Sequence, residues 1–546
     1  MVLGIITCLG SAAGAYCWIS RMMDSMFTYR SPLVENPPAA GAELDQPLTR
    51  KVIIVIVDAL RYDTSLNTAV MPLLNDLRMQ GASAVMHSRP PSFSAPSWTT
   101  ILTGAWPDIN DGQPLNPPDE FNIRTFTQDD IFAAANRSGF RAAVSGYFWF
   151  EQMLANSGVD TGYYTHGEDN AADKEVVDAT LPWLEQDYQL VLIHIDQVDY
   201  AGHHEGGPRD PRWNTAASRT DSLLGEIVAR LKLELDTVIV LSDHGQIDRG
   251  GHGGQDPVTL VEPFVIAGAG VKPGSYPDIE MVDVTPTIAA LLGTSIPASS
   301  QGRVLTGMLN LYPEQITIIH NTIAIQQQGL YNAYVAAIGV QPTEINVTQG
   351  GDALVTYQKA IEKTRAIRLL RERLGRSLLA LFIAIPPALA LYLERGRKIM
   401  WLIVGALIYV LLFNFCYAIL DGRTYSLSSL VSQEDIITFC GFTAAISLFI
   451  AWLIAQFGTG AIHHGALSAS ETTLVFILVT IYILAIPLLI SFSLNGVIVS
   501  WTLPDAPSML FQFLGFISLL QGLVVAVFGL LLVGISALAG KYAKRT

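Results

Sequence analysis

The sequence predicts an α/β domain with a mostly parallel sheet and helices on both faces, followed by an all-α transmembrane bundle. Short β-branched runs alternate with helical patterns between residues 51 and 306, which is typical of parallel strands covered on both sides. Long uncharged runs dominate the chain after residue 377. At 546 residues and 50% hydrophobic content, the chain is too long and too apolar for a single water-soluble domain.

The charge and the cysteines exclude some classes of protein. A net charge of -15 argues against a nucleic-acid partner, because phosphate-backbone binding needs clustered Lys and Arg. All four cysteines fall inside apolar runs, so the soluble part has no thiol with which to form a disulfide or bind a metal: Cys8, Cys17, Cys416 and Cys440.

The N-terminus begins with an apolar run. Residues 1–20 predict a transmembrane helix or signal anchor. A cleaved signal peptide is the alternative, which is less favoured because the run does not start with the Lys or Arg typical of a signal peptide. Residues 21–50 are predicted to form an extended linker, because their larger part, SPLVENPPAAGAELDQPLTR, is rich in Pro, Ala and Gly without a period.

Three of the predicted strands in the soluble domain, residues 51–310, end in an acid. KVIIVIVD closes with Asp58, LVLIHIDQVD with Asp196 and Asp199, and TVIVLSDH with Asp243 and His244. The carboxyl ends of strands in open α/β sheets form the ligand crevice, so these side chains predict a site there.

Histidines accompany these acids. A single Asp after a buried strand is usually a helix cap or turn former. Here DYAGH spaces Asp199 and His203 four apart, and GGHGG places His252 in a flexible loop. Mixed carboxylate and imidazole ligands suit zinc or a similar transition metal, so the set predicts a metal centre.

The segment PPSFSAPSWTTILTG supplies a candidate nucleophile. Pro96 suits the first turn of a helix, which places Ser94 at the helix N-terminus, where backbone amides favour a phosphate. From this segment alone, a plain N-cap role for Ser94 is the simpler interpretation.

The rest of the chain predicts a helical neck over residues 311–376 and a membrane domain of about five helices over residues 377–546. The candidate spans are 377–393, 399–420, 436–457, 472–493 and 509–539. Asn414 lies within one of these spans. Its side chain either makes a functional polar contact inside the bundle or only forms a hydrogen bond to a neighbouring helix.

The basic loops predict the orientation. ERGRK (394–398) and the tail GKYAKRT are the positive segments, so residues 20–376 are expected on the external or luminal side. The segment KTRAIRLLRERLGR is an exception, because it is strongly basic and would lie on the outer side. A helix that lies on anionic lipid headgroups would account for it.

These motifs resemble a known family. VDALRYD, PSFSAPSWTTILTG, DYAGHHEGGP, LSDHGQIDRGGHGG and VDVTPTIAALLG occur in the order seen in the type I phosphodiesterase and nucleotide pyrophosphatase branch of the alkaline-phosphatase superfamily. Within that branch the chain looks most like the GPI ethanolamine phosphate transferases. The resemblance covers residues 51 to about 306 and implies an alkaline-phosphatase-like catalytic domain.

The resemblance also implies a pair of Zn²⁺ ions, with Mn²⁺ as the alternative. Asp199, His203 and His252 correspond to the ligands of one ion. Asp58, Asp243, His244 and the oxygen of the nucleophile Ser94 correspond to those of the other. Ser97 stands where soluble relatives carry an Asn that contacts the phosphate, so it is a possible phosphate contact. Trp98 replaces the Arg that sulfatases of the superfamily need, which weakens a sulfatase interpretation.

The sequence leaves three alternative functions for the chain. The first is a phosphoethanolamine-type transferase that acts on a phospholipid or lipid-linked glycan through a phosphoseryl intermediate. The second is a membrane-anchored phosphodiesterase or nucleotide pyrophosphatase that shares the same site. The third is a non-catalytic membrane protein, which the intact set of metal-binding residue types disfavours.

Overall fold

The computed structural model describes residues 1–44, 46–345 and 352–543, and the chain divides into two compact units. The helical unit comprises Met1–Met26, Arg368–Val499 and Pro504–Thr546. The α/β unit comprises Phe27–Ile367 and Ser500–Leu503. The end of the basic tail and part of the expected neck, residues 544–546 and 346–351, lie outside the described residues, as does residue 45.

The α/β unit contains one mixed, mostly parallel sheet. Its strands, in chain order, are β1 (Lys51–Val57), β2 (Ala82–His87), β3 (Ala142–Tyr147), β4 (Thr161–Thr165), β5 (Leu190–Ile195), β6 (Asp236–Leu241), β7 (Val261–Gly268), β8 (Gly274–Ser275) and β9 (Ile279–Glu280). They lie in the order β4-β3-β5-β1-β6-β7-β2-β8, with β9 also paired to β2. Strand β7 runs antiparallel to its neighbours, β6 and β2, whereas the other strand pairs of the described residues are parallel.

Helices connect these strands and complete the chain. They are α1 (Val2–Phe27), α2 (Tyr62–Ser65), α3 (Pro72–Gln80), α4 (Ser94–Thr103), α5 (Pro107–Asn110), α6 (Ile131–Arg137), α7 (Trp149–Met153), α8 (Asn170–Leu184), α9 (Gln197–His204), α10 (Pro211–Val228), α11 (Val284–Leu292), α12 (Pro313–Ala337), α13 (Ala353–Leu393), α14 (Arg397–Asn414), α15 (Gln433–Thr459), α16 (Ala466–Asn495) and α17 (Ala506–Ala543).

The central strand β1 shows why helices cover both faces of the sheet. Alternate residues of a strand point to opposite faces, and in KVIIVIV both sets are β-branched and fully buried. Val52, Ile54 and Ile56 pack in one core with residues of α4, α6 and α11. Ile53, Val55 and Val57 pack in a second core with residues of α3, α8 and α10. The predicted α/β class with helices on both faces is confirmed.

The helical unit contains apolar helices of membrane-spanning length. Within the described residues, six helices meet that criterion: Val2–Phe27, Ala353–Leu393, Arg397–Leu420, Glu434–Thr459, Ala466–Asn495 and Ala506–Ala543. Helices α14, α15, α16 and α17 share an apolar core that includes Leu402, Leu448, Phe476 and Val525. The expected all-α bundle is therefore present, and its helices are those of an integral membrane protein.

Two segments differ in detail from the sequence pattern. The segment after α1 has no helix up to residue 44, yet Ser31 donates its backbone N–H to Asp111 and Leu33 is fully buried. Helix α13 continues without a break across the expected boundary at residues 376 and 377. The predicted domain limits of 1–20, 21–50, 51–310, 311–376 and 377–546 remain predictions.

Candidate metal and nucleophile site

The register of the sheet brings three acids to one level at its carboxyl edge. Val57 of β1 lies opposite Ile195 of β5, so the next residues, Asp58 and Asp196, are also opposite each other. Ile56 of β1 lies opposite Leu241 of β6. Asp58 and Asp243 each come two residues later in their own strand direction, so they also lie level with each other. The carboxyl edge of the parallel strands is where α/β sheets bind ligands.

Asp199, His203 and His252 form the first group of candidate metal ligands. Their ligand atoms all lie within 4.8 Å of one another. Asp199 and His203 share one face of α9 because they are four residues apart. The Nε2 atoms of His203 and His252 are 3.0 Å apart, and His203 Nε2 is 3.4 Å from Asp199 Oδ2.

Glycines bring the His252 loop against α9. Gly250 has φ of +88°, and a Cβ atom there would lie 1.8 Å from the carbonyl oxygen of Gly202. No other residue fits this position, because it requires both the left-handed backbone region and the close approach. The glycine-rich GGHGG sequence therefore serves to place His252 beside Asp199 and His203.

Asp58, Asp243, His244 and Ser94 are the second predicted group. Of these, Asp58 and His244 have ligand atoms within 4.8 Å of one another, together with Asp199, whereas Asp243 is placed by its contact with His244. His244 Nε2 lies 3.3 Å from Asp58 Oδ1 and 3.5 Å from Asp243 Oδ2. Ser94 Oγ lies 3.3 Å from the same His244 nitrogen. The imidazole rings of His244 and His252 stack with centroids 4.0 Å apart, so the two groups are adjacent.

The hydrogen bonds of both imidazoles leave a ring nitrogen free to bind a metal. His244 Nδ1 donates to the Gly245 carbonyl oxygen at 3.2 Å, and His252 Nδ1 donates to the Ser92 carbonyl oxygen at 3.3 Å. In each ring the Nε2 atom then carries a lone pair and faces the carboxylates. Burial lowers the pKa of His244 to about 4, which keeps that ring neutral as a metal ligand must be.

The carboxylates of the site have no Lys or Arg partner among the described residues. Burial, with a contribution from Asp243, raises the pKa of Asp58 well above its ordinary value, and burial raises the pKa of Asp243 to about 7. Within the described residues, no Lys or Arg forms an ion pair with Asp58, Asp196, Asp199 or Asp243. Asp58 Oδ1 is buried, and no described residue donates a hydrogen bond to it. This donor set fits a divalent cation, which would supply the missing positive charge.

Ser94 is the first residue of α4 and is buried beside the second group. The helix offers few free amides at this end, because Pro96 has no N–H and the Ala95 N–H donates to Asn116 Oδ1 at 3.1 Å. Asn116 was missed by the sequence reasoning, since nothing in the pattern LNPPD distinguishes it from a turn residue. Ser97 lies one turn further along, where its backbone N–H donates to the Phe93 carbonyl oxygen.

His194 is a second residue that the sequence reasoning missed. It lies within β5, and its Nε2 is 2.9 Å from Asp58 Oδ2. Burial lowers the pKa of His194 to about 3, so the neutral ring donates an N–H to the carboxylate. A histidine inside the otherwise apolar run LVLIHI was the available signal, because a buried polar side chain needs a partner.

Trp98 and Ala59 hold Asp243 from two sides. Trp98 Nε1 donates to Asp243 Oδ2 at 2.8 Å, and the backbone N–H of Ala59 donates to Oδ1 at 3.1 Å. Ala59 has φ of +58°, a strained region for a residue with a Cβ atom. The tryptophan that argued against a sulfatase is thus a support for a candidate metal ligand.

Most of the site residues lie in a part of the chain that matches a known protein family. Residues 52–249 match the model of the type I phosphodiesterase / nucleotide pyrophosphatase family. This part of the chain is therefore similar to the domain of that family. The matched part includes Asp58, Ser94, Asp199, His203, Asp243 and His244, while His252 follows three residues beyond the matched range.

The curated relatives are GPI ethanolamine phosphate transferases. The human GPI ethanolamine phosphate transferase 2, catalytic subunit, is 28% identical over 319 residues, which cover 53% of this chain and 32% of the human protein. The Candida albicans GPI ethanolamine phosphate transferase 2 is 26% identical over 325 residues, which cover 53% of this chain and 35% of that protein. The predicted resemblance is confirmed, and the chain spans about a third of the length of these relatives.

Among solved structures, human ectonucleotide pyrophosphatase / phosphodiesterase 5 is similar to the chain with a TM-score of 0.40 and 16% sequence identity. The match covers 48% of this chain and 100% of that structure.

Proposed function

We propose that the chain is a membrane-embedded, metal-dependent phosphotransferase that moves a phosphoethanolamine-type group onto a lipid or glycolipid through a phosphoseryl intermediate. The observation that carries this proposal is the position of Ser94. Its hydroxyl lies 3.3 Å from His244, within two adjacent groups of carboxylates and imidazoles. The homology to ethanolamine phosphate transferases supports the choice of group.

The site residues would hold two divalent ions, for which Zn²⁺ suits the mixed imidazole and carboxylate donors and Mn²⁺ is the alternative. Asp199, His203 and His252 would hold one ion. Asp58, Asp243 and His244 would hold the other, next to the oxygen of Ser94. When bound, these ions would lower the pKa of the serine hydroxyl and neutralise charge on the phosphoryl oxygens.

In the first half of the proposed reaction, Ser94 Oγ gives up its proton and forms a bond to the phosphorus of a phosphodiester. The bond from phosphorus to the leaving oxygen breaks, and that oxygen takes up a proton. Asn116 is placed to assist. Its Oδ1 is held by the Ala95 N–H, so its side-chain NH₂ is a donor at the start of α4.

In the second half, a hydroxyl of the acceptor attacks the phosphoserine from the side opposite Ser94. The acceptor loses its proton, the bond from phosphorus to Ser94 Oγ breaks, and the serine regains a proton. No atom changes its oxidation state in either half of the reaction, so no oxidant or reductant is needed. An acceptor in a lipid would suit the apolar helices of the chain, and the basic segment ERGRK supports an external or luminal catalytic domain.

The second candidate function is hydrolysis by a membrane-anchored phosphodiesterase or nucleotide pyrophosphatase. The match of residues 52–249 to the type I phosphodiesterase / nucleotide pyrophosphatase family supports it. The same Ser94 adduct would then pass to water instead of a hydroxyl acceptor. The two candidates differ only in the second half of the reaction.

An acceptor experiment separates the two functions. The purified full-length protein is incubated with vesicles of phosphatidylethanolamine labelled in the headgroup, with and without a mannose-containing glycolipid. Transfer predicts label in the glycolipid and little free phosphoethanolamine. Release of free phosphoethanolamine at a rate independent of the glycolipid would indicate hydrolysis. Label that stays in the phospholipid under both conditions would contradict both functions for this donor.

A further inference from the structure

Three consecutive aromatic residues stand at the carboxyl end of β3, beside the candidate site. We call Tyr147, Phe148 and Trp149 the aromatic wall. Strands β3 and β5 are parallel neighbours, and Ser145 lies opposite Ile193. Two residues further along, Tyr147 is level with Ile195, the residue before Asp196. The wall therefore borders the same sheet edge as the proposed metal ligands.

One side chain connects the wall to the site. The ring centroid of Trp149 lies 5.8 Å from that of Trp98, whose Nε1 donates to Asp243 Oδ2 at 2.8 Å. Tyr147 lies in the field of the site acids: burial and Glu168 raise the pKa of its hydroxyl, and Asp196 and Asp199 add to that increase. The wall is thus separated from a candidate metal ligand by the single side chain of Trp98.

Glu168 lies against the wall, and no described Lys or Arg pairs with it. Its Oε1 accepts a hydrogen bond from the Tyr147 hydroxyl at 2.9 Å. In the part of the chain that the structure describes, neither Glu168 nor Asp196 forms an ion pair with Lys or Arg. All three wall residues and Glu168 are partly exposed. The ring of His166 stacks on one face of Phe148, so the partly exposed rings that remain beside the Glu168 carboxylate are those of Tyr147 and Trp149.

We infer that Tyr147, Trp149 and Glu168 form the subsite for the ammonium end of the substrate's phosphoethanolamine group, an inference that rests on the proposed function. The carboxylate of Glu168 accepts a hydrogen bond from the ammonium and supplies the opposite charge. The faces of the aromatic rings attract the same cation through their quadrupoles. Glu168 is thereby the residue that determines which headgroup is transferred.

The same wall would serve a nucleotide less well. A nucleobase can stack on aromatic rings, but it brings no positive charge to Glu168. A carboxylate whose solvent is displaced by an uncharged group loses hydration without compensation. The pairing of carboxylate and rings therefore favours a cationic headgroup over a nucleoside.

Two matched esters test the subsite in the full-length protein. p-Nitrophenyl phosphoethanolamine carries the ammonium, and p-nitrophenyl propyl phosphate replaces it with a methyl group of similar size. The measured quantity is the ratio of kcat/KM for the ammonium ester to that for the propyl ester. For Glu168→Gln we expect the ratio to fall at least ~10-fold, because a hydrogen bond to a charged group is worth roughly 1.5–3 kcal/mol. For Tyr147→Phe, which keeps the ring but frees Glu168, we expect a smaller fall.

Glu175→Gln is the matched control. Glu175 accepts a hydrogen bond from the Tyr163 hydroxyl at 2.9 Å, the same kind of pair on the neighbouring strand β4. This control should leave the ratio unchanged. An unchanged ratio in Glu168→Gln, an equal fall for both esters, or the same fall in Glu175→Gln overturns the inference. If the wild type cleaves both esters no faster than Ser94→Ala does, the proposed function fails and the inference fails with it.

Discussion

Ser94 Oγ lies 3.3 Å from Nε2 of His244, although the two residues are 150 positions apart in the chain. The first begins helix α4 and the second follows strand β6. Both side chains are buried at the edge where Asp58 also ends its strand. A hydroxyl in this position is next to the groups that would activate it, and this relationship underlies the predictions below.

The first prediction concerns the choice of serine. Ser94→Ala should reduce phosphodiester cleavage by roughly a thousand-fold or more, as expected for loss of a nucleophile. Ser94→Thr should retain part of the activity because the hydroxyl remains. Ser97→Ala is the control, with an expected cost of about 1 to 3 kcal/mol for at most one phosphate hydrogen bond. Steady-state kinetics on p-nitrophenyl phosphoethanolamine checks all three. An inactive Ser97→Ala beside a fully active Ser94→Ala would show that the wrong serine has been named.

The second prediction concerns metal binding. His252→Ala and Asp243→Ala should each lower bound transition metal and activity by orders of magnitude while the domain stays folded, because each removes a donor from a buried set. His204→Ala is the control, since His204 follows His203 in the same helix but packs on Tyr200 instead. Elemental analysis and circular dichroism check the result. A wild type that contains no transition metal and ignores a strong chelator would disprove the metal centre.

The third prediction concerns the buried histidine behind Asp58. His194→Phe should weaken metal binding by about 10- to 100-fold, the usual effect of losing a partner that orients a metal ligand. His194→Asn should recover part of that loss, because an amide can still donate to Asp58. The measurement is the metal dissociation constant by competition with a chromogenic chelator. If both variants bind metal as the wild type does, the bond between His194 and Asp58 has only a structural role.

The fourth prediction concerns the pH dependence of stability. Asp130 caps α6, and burial raises its pKa to about 7. Because the folded state then holds a proton that the unfolded state has released, stability from this group is present at acid pH and is lost as pH rises from about 4 to 7. Asp130→Asn keeps an acceptor for the helix amides and cannot ionise. Its melting temperature relative to the wild type should therefore be higher at pH 8 than at pH 5. A difference that is constant with pH would contradict the buried, protonated carboxyl.

The fifth prediction concerns the side of the membrane. In a cysteine-free background, Ala40→Cys lies in an exposed part of the N-terminal segment, and Gly396→Cys lies in the exposed ERGRK loop. In vesicles sealed with the external or luminal face outward, an impermeant thiol reagent should label the first, and the second only after permeabilisation. The reverse pattern would place residues 20–376 on the cytoplasmic side.

Much of the fold was predictable because the physical signals are local. The runs that form β1, β5 and β6 are short, β-branched and end in acids, so both the parallel sheet and the convergence of Asp58, Asp196 and Asp243 follow from rules about strand ends. Membrane helices are equally predictable from the sequence, because a run of about 20 apolar residues is enough to indicate one.

The missed residues depend on long-range contacts. His194 contacts Asp58 across 136 positions, a spacing that a single sequence does not reveal. Trp98 was named from the sequence only for the Arg it replaces, and its contact with Asp243 across 145 positions was not predicted. The segment after α1 looked like an unattached linker because Pro and Ala carry no period. Its attachment depends on Arg30 and Ser31 meeting Asp111, which only the folded chain brings near.

The most direct test of the central claim is the mass of the protein itself. Wild-type protein is mixed with phosphatidylethanolamine vesicles, quenched in acid within one turnover, and analysed by intact mass and peptide mapping. We expect the added mass of one phosphoethanolamine group, located on Ser94 and absent from Ser94→Ala. A headgroup that is consumed in a single turnover without any adduct on Ser94, or with an adduct on another residue, would contradict the phosphoseryl mechanism.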